Sequence, residues 1–264
     1  MIYAIGDIHG QKAMLDRALL LIAADGGAAA PLVFLGDYTD RGPDSRGVID
    51  ELIRGRDAGL DWTFIKGNHD RMFLQCVEEG VIHDPAIKSG LSWLNPRLGG
   101  DTTLASYGIV PTAPASYIRD AQGLETLVSY PTTEGDLSLQ ELVALARDRV
   151  PEAHRQFLAT NPLMHQAEGH LFVHAGIRPG VALADQTEDD LIWIRDGWLD
   201  NTDDHGMMVV HGHTALDAPE HLGNRIDLDG GAGYGRPLVP AVLDDGEWFT
   251  LTDDGRVPLN PATR

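Results

Sequence analysis

Five short apolar segments of this 264-residue chain share one pattern, because each has the length of a β-strand and ends at a polar loop bordered by glycine. They cover residues 2–5, 32–35, 62–65, 171–173 and 207–210. Segments that are apolar on both faces are typical of central strands in a covered sheet. Helical patterns over 12–24 and 45–58 separate the first three strands. Strand–helix–strand alternation predicts an α/β fold with its site at the carboxyl ends of the strands.

The middle of the chain, from about residue 83 to residue 164, has a different pattern. It contains seven prolines and one good helical pattern, over 137–158. We interpret it as a mainly helical insertion over the edge of the sheet, within a single domain of residues 1–264. Residues 225–251 alternate like antiparallel strands, and Asp244-Asp245-Gly246 predicts a hairpin turn between two of them.

The charge of the chain limits its partners. Forty acidic and 20 basic residues give a net charge of −20, so the long-range field repels nucleic-acid backbones and generic nucleic-acid binding is not expected. The same field repels a free phosphate ester, so any phosphate chemistry needs local positive charge from metals or arginines. We find no signal-peptide pattern and no apolar stretch of membrane-spanning length. The single cysteine, Cys76, suits a reducing compartment, and we expect a cytoplasmic protein.

The loops that follow the five strands carry side chains of the kinds that bind metals. They read Gly6-Asp7-Ile8-His9-Gly10, Gly36-Asp37-Tyr38-Thr39-Asp40-Arg41-Gly42, Gly67-Asn68-His69-Asp70, His174-Ala175-Gly176 and His211-Gly212-His213-Thr214. Each loop alone has an ordinary explanation, such as an Asx turn, a helix N-cap or a buried histidine. Five such strand ends together make coincidence a poor explanation. Carboxylate, amide and imidazole ligands suit Mn, Fe or Zn.

This ordered set of motifs resembles the calcineurin-like metallophosphoesterases, and its second and third blocks are similar to the phosphoprotein phosphatase branch. That branch includes bacterial and phage serine/threonine phosphatases and diadenosine tetraphosphatases. Segments 93–108 and 226–235 also resemble bacterial members of the branch. The resemblance implies a central sandwich of mixed β-sheets flanked by helices in four layers. It also implies two divalent metal ions, with Mn expected first and Fe or Zn as alternatives.

Six metal ligands are implied by the same resemblance. They are Asp7 and His9 for the first ion, Asp37 as the bridge, and Asn68, His174 and His213 for the second ion. His213 matches the family motif because it lies in Gly-His-Thr, which leaves the role of His211 open. Other superfamily members carry a further histidine where this chain has Ala215, so the first ion is expected to hold more water.

Charge determines the chemistry expected at such a site. Two divalent ions about 4 Å apart acidify a shared water and hold both the attacking and the leaving oxygen. His69 is expected to be the general acid, because its side chain must diverge from that of Asn68. Asp40 is expected to orient His69 and raise its pKa. Arg41 is expected to bind phosphate, since its planar fork matches two phosphate oxygens.

Three other residues have competing interpretations. Arg195 is either a second phosphate-binding residue or a surface arginine paired with Asp196 or Glu188, with equal weight. Arg178 is more readily explained as structural. Tyr234 has two interpretations, a side chain at the border of the pocket or an aromatic that covers the core, and we favour the second.

The substrate class follows less directly from the sequence. Our first hypothesis is a serine/threonine-type protein phosphatase, and the alternative is a dinucleoside polyphosphate hydrolase such as a diadenosine tetraphosphatase. The alternative needs basic residues in the insertion, which has only Lys88, Arg97, Arg119, Arg147, Arg149 and Arg155. This small number favours a phosphomonoester. A non-catalytic binding module is disfavoured, because every expected position is filled.

Overall fold

The computed structural model describes residues 1–261 as helices, strands and the loops between them. The α-helices are α1 (Lys12–Ala24), α2 (Ser45–Asp57), α3 (Asn68–Glu79), α4 (Gly100–Ser106), α5 (Leu139–Arg149), α6 (Glu152–Thr160) and α7 (Glu188–Trp193). The strands are β1 (Ile2–Ile5), β2 (Leu32–Phe34), β3 (Trp62–Phe64), β4 (Ser116–Arg119), β5 (Glu125–Thr132), β6 (Gly135–Leu137), β7 (Met164–Ala167), β8 (His170–Val173), β9 (Met208–His211), β10 (Glu220–His221), β11 (Arg225–Asp227), β12 (Ala241–Asp244), β13 (Glu247–Thr252) and β14 (Gly255–Pro258).

Two sheets form the centre of the molecule. The first has the order β14-β13-β12-β1-β2-β3, with β1, β2 and β3 parallel, and the second has the order β10-β11-β9-β8-β7, with β8, β9 and β11 parallel. Side chains on successive residues of a strand point to opposite faces. Accordingly, Ile2 and Ala4 of β1 pack in a core shared with Phe172 and Val210 of the second sheet.

The outer faces of both sheets are covered. Tyr3 and Ile5 of β1 pack in one core with residues of α1 and α2, such as Leu15 and Leu52. Leu171 of β8 lies in a third core with residues of α7. The order of layers is therefore helices, sheet, sheet and helix, which confirms the predicted mixed α/β sandwich.

Residues 83–164 contain helices α4, α5 and α6, and also a three-stranded sheet β4-β5-β6 that the sequence analysis did not anticipate. The helix predicted over 137–158 is two helices, because Pro151 separates α5 from α6 and has no N–H to continue the ladder. Trp93 and Tyr107 of this segment pack in the same core as Tyr3. A shared core agrees with an insertion within one domain, which stays a prediction.

The C-terminal strands follow the predicted hairpin. Asp245 and Gly246 have φ angles of 48° and 84°, and Asp244 pairs with Glu247 across the turn. Strand β11 was expected to be antiparallel, but it pairs parallel with β9 and antiparallel with β10. Within residues 1–261, no helix has both the length and the apolar character that crossing a membrane requires.

Candidate metal centre

Loops after β1, β2, β3, β8 and β9 converge at one edge of the two sheets. Two clusters of possible ligand atoms lie there, and within each cluster all the atoms are within 4.8 Å of one another. The first cluster consists of His9, Asp37 and His69, and the second consists of Asp37, His174 and His213. Asp37 belongs to both clusters, which is the arrangement expected of a carboxylate that bridges two ions.

The first position is formed by Asp7, His9 and one oxygen of Asp37. Nε2 of His9 is 3.8 Å from Oδ2 of Asp7 and 3.6 Å from Oδ2 of Asp37. On its other side, Nδ1 of His9 donates to the carbonyl of Thr39 at 2.8 Å. This hydrogen bond fixes the tautomer and turns the Nε2 lone pair toward the carboxylates.

The second position is formed by the other oxygen of Asp37 with Asn68, His174 and His213. Nε2 of His174 lies 3.4 Å from Oδ1 of Asp37 and 2.8 Å from Oδ1 of Asn68. Nδ1 of His213 is 2.9 Å from the same Asn68 oxygen. His174 is held by the carbonyl of Leu35, to which its Nδ1 donates at 2.8 Å. The structure thus brings together all six side chains expected as ligands, and none is more than 7% exposed.

Backbone strain is concentrated at this centre. Seven non-glycine residues within 1–261 have positive φ, and five of them lie in the site: His9, Asp37, Asp40, Arg41 and His213. Such conformations are uncommon for residues with a Cβ and cluster at functional sites. The loops also approach one another closely. A Cβ on Gly67 would lie 2.1 Å from Oδ1 of Asp37, and one on Gly212 would lie 2.1 Å from Oδ1 of Asp7.

The electrostatics of these side chains fit a site for divalent cations. Burial raises the pKa of Asp7, and the nearby carboxylates of Asp229 and Asp37 raise it further. Burial raises the pKa of Asp37 as well, with a further contribution from Asp70. Burial lowers the pKa of His174 to about 3, so this imidazole is neutral at pH 7 and offers a lone pair. Crowded carboxylates beside neutral imidazoles are the donor set that Mn, Fe and Zn accept.

His69 lies beside this centre and is paired with Asp40. Nδ1 of His69 donates to Oδ2 of Asp40 at 2.6 Å. The sequence analysis expected Asp40 to raise the pKa of His69, but the net shift of that pKa is downward. Burial lowers the pKa of His69, and the positive charge of Arg41 lowers it further. His69 is therefore neutral, with its proton on the nitrogen that faces Asp40.

Two residues that the sequence analysis missed hold Asp40 in place. Nε1 of Trp93 donates to Oδ2 of Asp40 at 2.7 Å, and Oγ1 of Thr103 donates to Oδ1 at 2.7 Å. Burial raises the pKa of Asp40 to about 7, while the hydrogen bonds from Thr103 and Trp93 oppose the rise. Both donors belong to segment 83–164. The only sequence signal for them was the resemblance of 93–108 to bacterial phosphatases.

Two arginines line the cavity above the ligands, which has a volume of about 410 Å³. Arg41 contacts Nε2 of His9, and its Nη2 lies 3.0 Å from Nε2 of His69. Arg195 donates to the carbonyl of His213 at 3.2 Å. Of the two interpretations of Arg195, the structure favours a place in the cavity, because Asp196 pairs with Lys88 and Glu188 with Arg71.

The other undecided residues also have clear places. Arg178 pairs with Asp190 through Nε at 2.8 Å, which is a structural role. Tyr234 is 63% exposed and its ring lies 4.9 Å from the guanidinium of Arg41, so it borders the site and does not cover the core. His211 is buried behind the centre, where Nδ1 lies 2.9 Å from the carbonyl of Gly212.

Comparison with known proteins identifies similar sequences. A family model described as calcineurin-like phosphoesterase matches residues 1–237. The symmetrical bis(5'-nucleosyl)-tetraphosphatase of Methylococcus capsulatus is 30% identical over 178 residues, 67% of this chain and 44% of that protein. The protein of the same name from Ralstonia nicotianae is 38% identical over 79 residues, 30% of this chain and 26% of that protein. The matched part therefore spans less than half the length of these curated relatives.

Solved structures with the same fold include a candidate diadenosine tetraphosphatase. It aligns with a TM-score of 0.60 at 22% identity, over 95% of this chain and 92% of the other. A cold-active protein-tyrosine phosphatase from a psychrophilic Shewanella aligns with a TM-score of 0.56 at 16% identity, over 98% of this chain and 80% of the other. At these identities the similarity concerns the fold.

Proposed function

Since the chain belongs to the calcineurin-like phosphoesterase family, a family of phosphoric ester hydrolases that depend on two metal ions, we propose that it cleaves the phosphoanhydride bond of dinucleoside polyphosphates. The convergence of the six expected ligand side chains around Asp37 carries the hydrolytic part of this proposal. The curated relatives named symmetrical tetraphosphatases support the choice of substrate. They favour the alternative of the sequence analysis over its first hypothesis, a protein phosphatase, for which these relatives offer no support.

The expected ligand side chains lie at the floor of the cavity, and this supports a reaction at that position. Divalent cations held there, which we propose to be Mn²⁺, would add positive charge at the phosphate and acidify a water. Asp7, His9 and Asp37 would hold one ion, and Asn68, His174 and His213 would join Asp37 at the other. Each imidazole whose Nδ1 donates to a backbone carbonyl keeps Nε2 unprotonated, so that this nitrogen could bind an ion.

The residues above the floor bind and orient the substrate. Arg41 and Arg195 line the cavity, so their guanidinium groups donate to the oxygens of the reacting phosphoryl group. His69 is oriented by Asp40 and presents Nε2 toward Arg41. A serine or threonine alkoxide needs a proton as it leaves, whereas a nucleoside diphosphate leaves as a stable anion. A His69 with a lowered pKa therefore suits an anhydride better than a phosphoserine.

A substrate panel tests the proposal. Protein reconstituted with Mn²⁺ is incubated with diadenosine tetraphosphate, a phosphothreonine peptide and p-nitrophenyl phosphate, and the products are separated by ion-exchange chromatography. We expect diadenosine tetraphosphate to give the highest kcat/KM and two molecules of nucleoside diphosphate, the products of symmetrical cleavage. The Asp37→Asn variant is the control for contaminating hydrolases, because it loses the shared ligand. Turnover of the phosphopeptide without the tetraphosphate would contradict the proposal.

The metal and the location of the protein belong to the same proposal. Manganese is preferred because carboxylate, amide and imidazole ligands without thiolate suit it. A cytoplasmic location is supported by the single cysteine, Cys76, which is buried and unpaired. Metal analysis of protein purified without added metal tests the first point.

A further inference from the structure

An exposed ion pair lies at the mouth of the metal-centre cavity, outside the machinery described above. Nζ of Lys88 lies 2.6 Å from Oδ2 of Asp196, and the two side chains are 86% and 87% exposed. Both residues line the cavity that contains Arg41 and Arg195. Lys88 comes from segment 83–164, and Asp196 follows α7, so the pair joins two walls of the cavity that different parts of the chain supply.

The backbone of the loop that carries Lys88 is held in place by buried contacts, whereas the Lys88 side chain itself is exposed. Asp84 is 3% exposed, and its carboxylate receives Nε and Nη2 of Arg71 at 2.9 and 3.0 Å. It also accepts the N–H of Ala86 at 2.9 Å. Arg71 reaches the other wall through Asp189 of α7, at 2.6 Å. These contacts set the distance between the two walls independently of Lys88.

Four of the five other lysine and arginine residues of segment 83–164 are engaged elsewhere, and the fifth, Arg97, does not line the cavity. Arg119 pairs with Glu125, Arg149 with Glu134 and Arg155 with Glu78, while Arg147 donates to backbone carbonyls of α3. Among the residues of this segment that line the cavity, Lys88 is the one cation. The position of Lys88 is therefore more informative about the substrate than the number of basic residues in the insertion.

We propose that Lys88 binds the phosphoryl group next to the one that reacts, and that Asp196 occupies this subsite until a substrate displaces it. The proposal rests on the proposed function, because a dinucleoside polyphosphate has such a second group and a phosphomonoester does not. An exposed pair of single charges is weak in water. A phosphoryl group carries more charge and more acceptor oxygens than one carboxylate, so it replaces Asp196 readily. Lys88 and Asp196 thus favour substrates with at least two linked phosphoryl groups.

Equilibrium binding tests this subsite without turnover. Inorganic phosphate and methylenediphosphonate, which cannot be hydrolysed, are titrated calorimetrically into Mn²⁺-loaded protein at one free Mn²⁺ concentration. Chelation in solution is then the same for every variant. We expect Lys88→Gln to weaken diphosphonate binding about tenfold and leave phosphate binding unchanged. Asp196→Asn should have the opposite sign and tighten diphosphonate binding, because no carboxylate competes for Lys88.

Arg97→Gln is the matched control, since Arg97 is an exposed basic residue of the same segment that does not line the cavity. If Lys88→Gln weakens both ligands equally, or neither, Lys88 does not contact a second phosphoryl group. The same is true if Arg97→Gln reproduces its effect. Failure of the proposed function is a separate result, seen when wild-type protein does not hydrolyse diadenosine tetraphosphate. The binding ratios still decide the role of Lys88 in that case.

Discussion

Thr103→Val is expected to slow the proposed reaction, although Thr103 contacts none of the proposed metal ligands and neither of the arginines proposed to bind phosphate. Its hydroxyl donates to Oδ1 of Asp40 at 2.7 Å and accepts the Asp40 N–H at 2.7 Å. Valine has nearly the same shape, so α4 keeps its packing. The Asp40 N–H keeps a second acceptor, Oγ of Ser45, at 3.1 Å. The main loss is therefore one hydrogen bond to the carboxylate that orients His69.

The size of the effect follows from that hydrogen bond. A hydrogen bond to a charged acceptor contributes about 1.5–3 kcal/mol. One pKa unit corresponds to about 1.4 kcal/mol, so the substitution should raise the pKa of Asp40 by roughly 1–2 units. The rise starts from about 7, a value that the Thr103 hydrogen bond already holds down. Near neutral pH the ionised fraction of Asp40 should fall from about one half to roughly one tenth or less.

The assay is kcat/KM for diadenosine tetraphosphate between about pH 6 and pH 10. We expect a loss of about tenfold near neutral pH, an acidic limb displaced upward by roughly 1–2 units, and convergence with wild type at alkaline pH, where Asp40 is ionised in both proteins. Thr102→Val is the matched control, because the Thr102 hydroxyl donates to the carbonyl of Gly99 at 2.7 Å and not to Asp40. A loss that is the same at every pH would refute the role of Asp40 ionisation.

Three further predictions concern the centre itself. His69→Asn should slow hydrolysis of the tetraphosphate by less than the roughly 10²–10⁴-fold that loss of a general acid costs, because the lowered pKa of His69 leaves it neutral and a nucleoside diphosphate leaves without a proton. A loss in kcat of that full size would show that His69 protonates the leaving group. Gly212→Ala would place a carbon 2.1 Å from Oδ1 of Asp7, so metal analysis should find less bound Mn²⁺ in this variant. Gly230→Ala is the control, because the atom nearest to its new carbon lies 3.3 Å away. Equal Mn²⁺ contents in the two variants would show that the loop moves to accommodate the Gly212→Ala methyl group. Mn²⁺ at about one hundred times its Kd should add about 2.7 kcal/mol to the free energy of unfolding, seen as a higher Tm. Asp37→Asn should remove most of that gain, and a gain that persisted would place the ion elsewhere.

The sequence predicted that the six expected ligands would lie together because each follows the end of a strand within four residues. Asp7, Asp37 and His174 come after β1, β2 and β8, and the carboxyl ends of parallel strands meet at one edge of a sheet. A one-dimensional pattern is then enough to predict a three-dimensional cluster. The sandwich of two sheets followed from the family resemblance, and the apolar faces of the strands support it.

Other features depend on tertiary contacts that no local pattern records. Trp93 and Thr103 reach Asp40 across 53 and 63 residues of chain. The direction of the pKa shift of His69 depends on its complete burial and on Arg41, and not on Asp40 alone. The three-stranded sheet of segment 83–164 was missed because its outer strands, β4 and β6, are short and mostly exposed, so their alternation is weak.

The features that the sequence predicted and the features that it missed differ for one physical reason. Ligand loops must combine a particular side chain with a backbone that few residues adopt, as at Asp37 and His213, and with glycines where loops touch, as at Gly67 and Gly212. Such a combination is rare by chance and is therefore visible in the sequence. By contrast, a cavity wall that selects a substrate through one cation needs only a lysine on a surface turn, and neither the residue nor the turn is rare. Lys88 has no such signature, so the substrate of a chain with this centre has to be sought in the geometry of its cavity mouth.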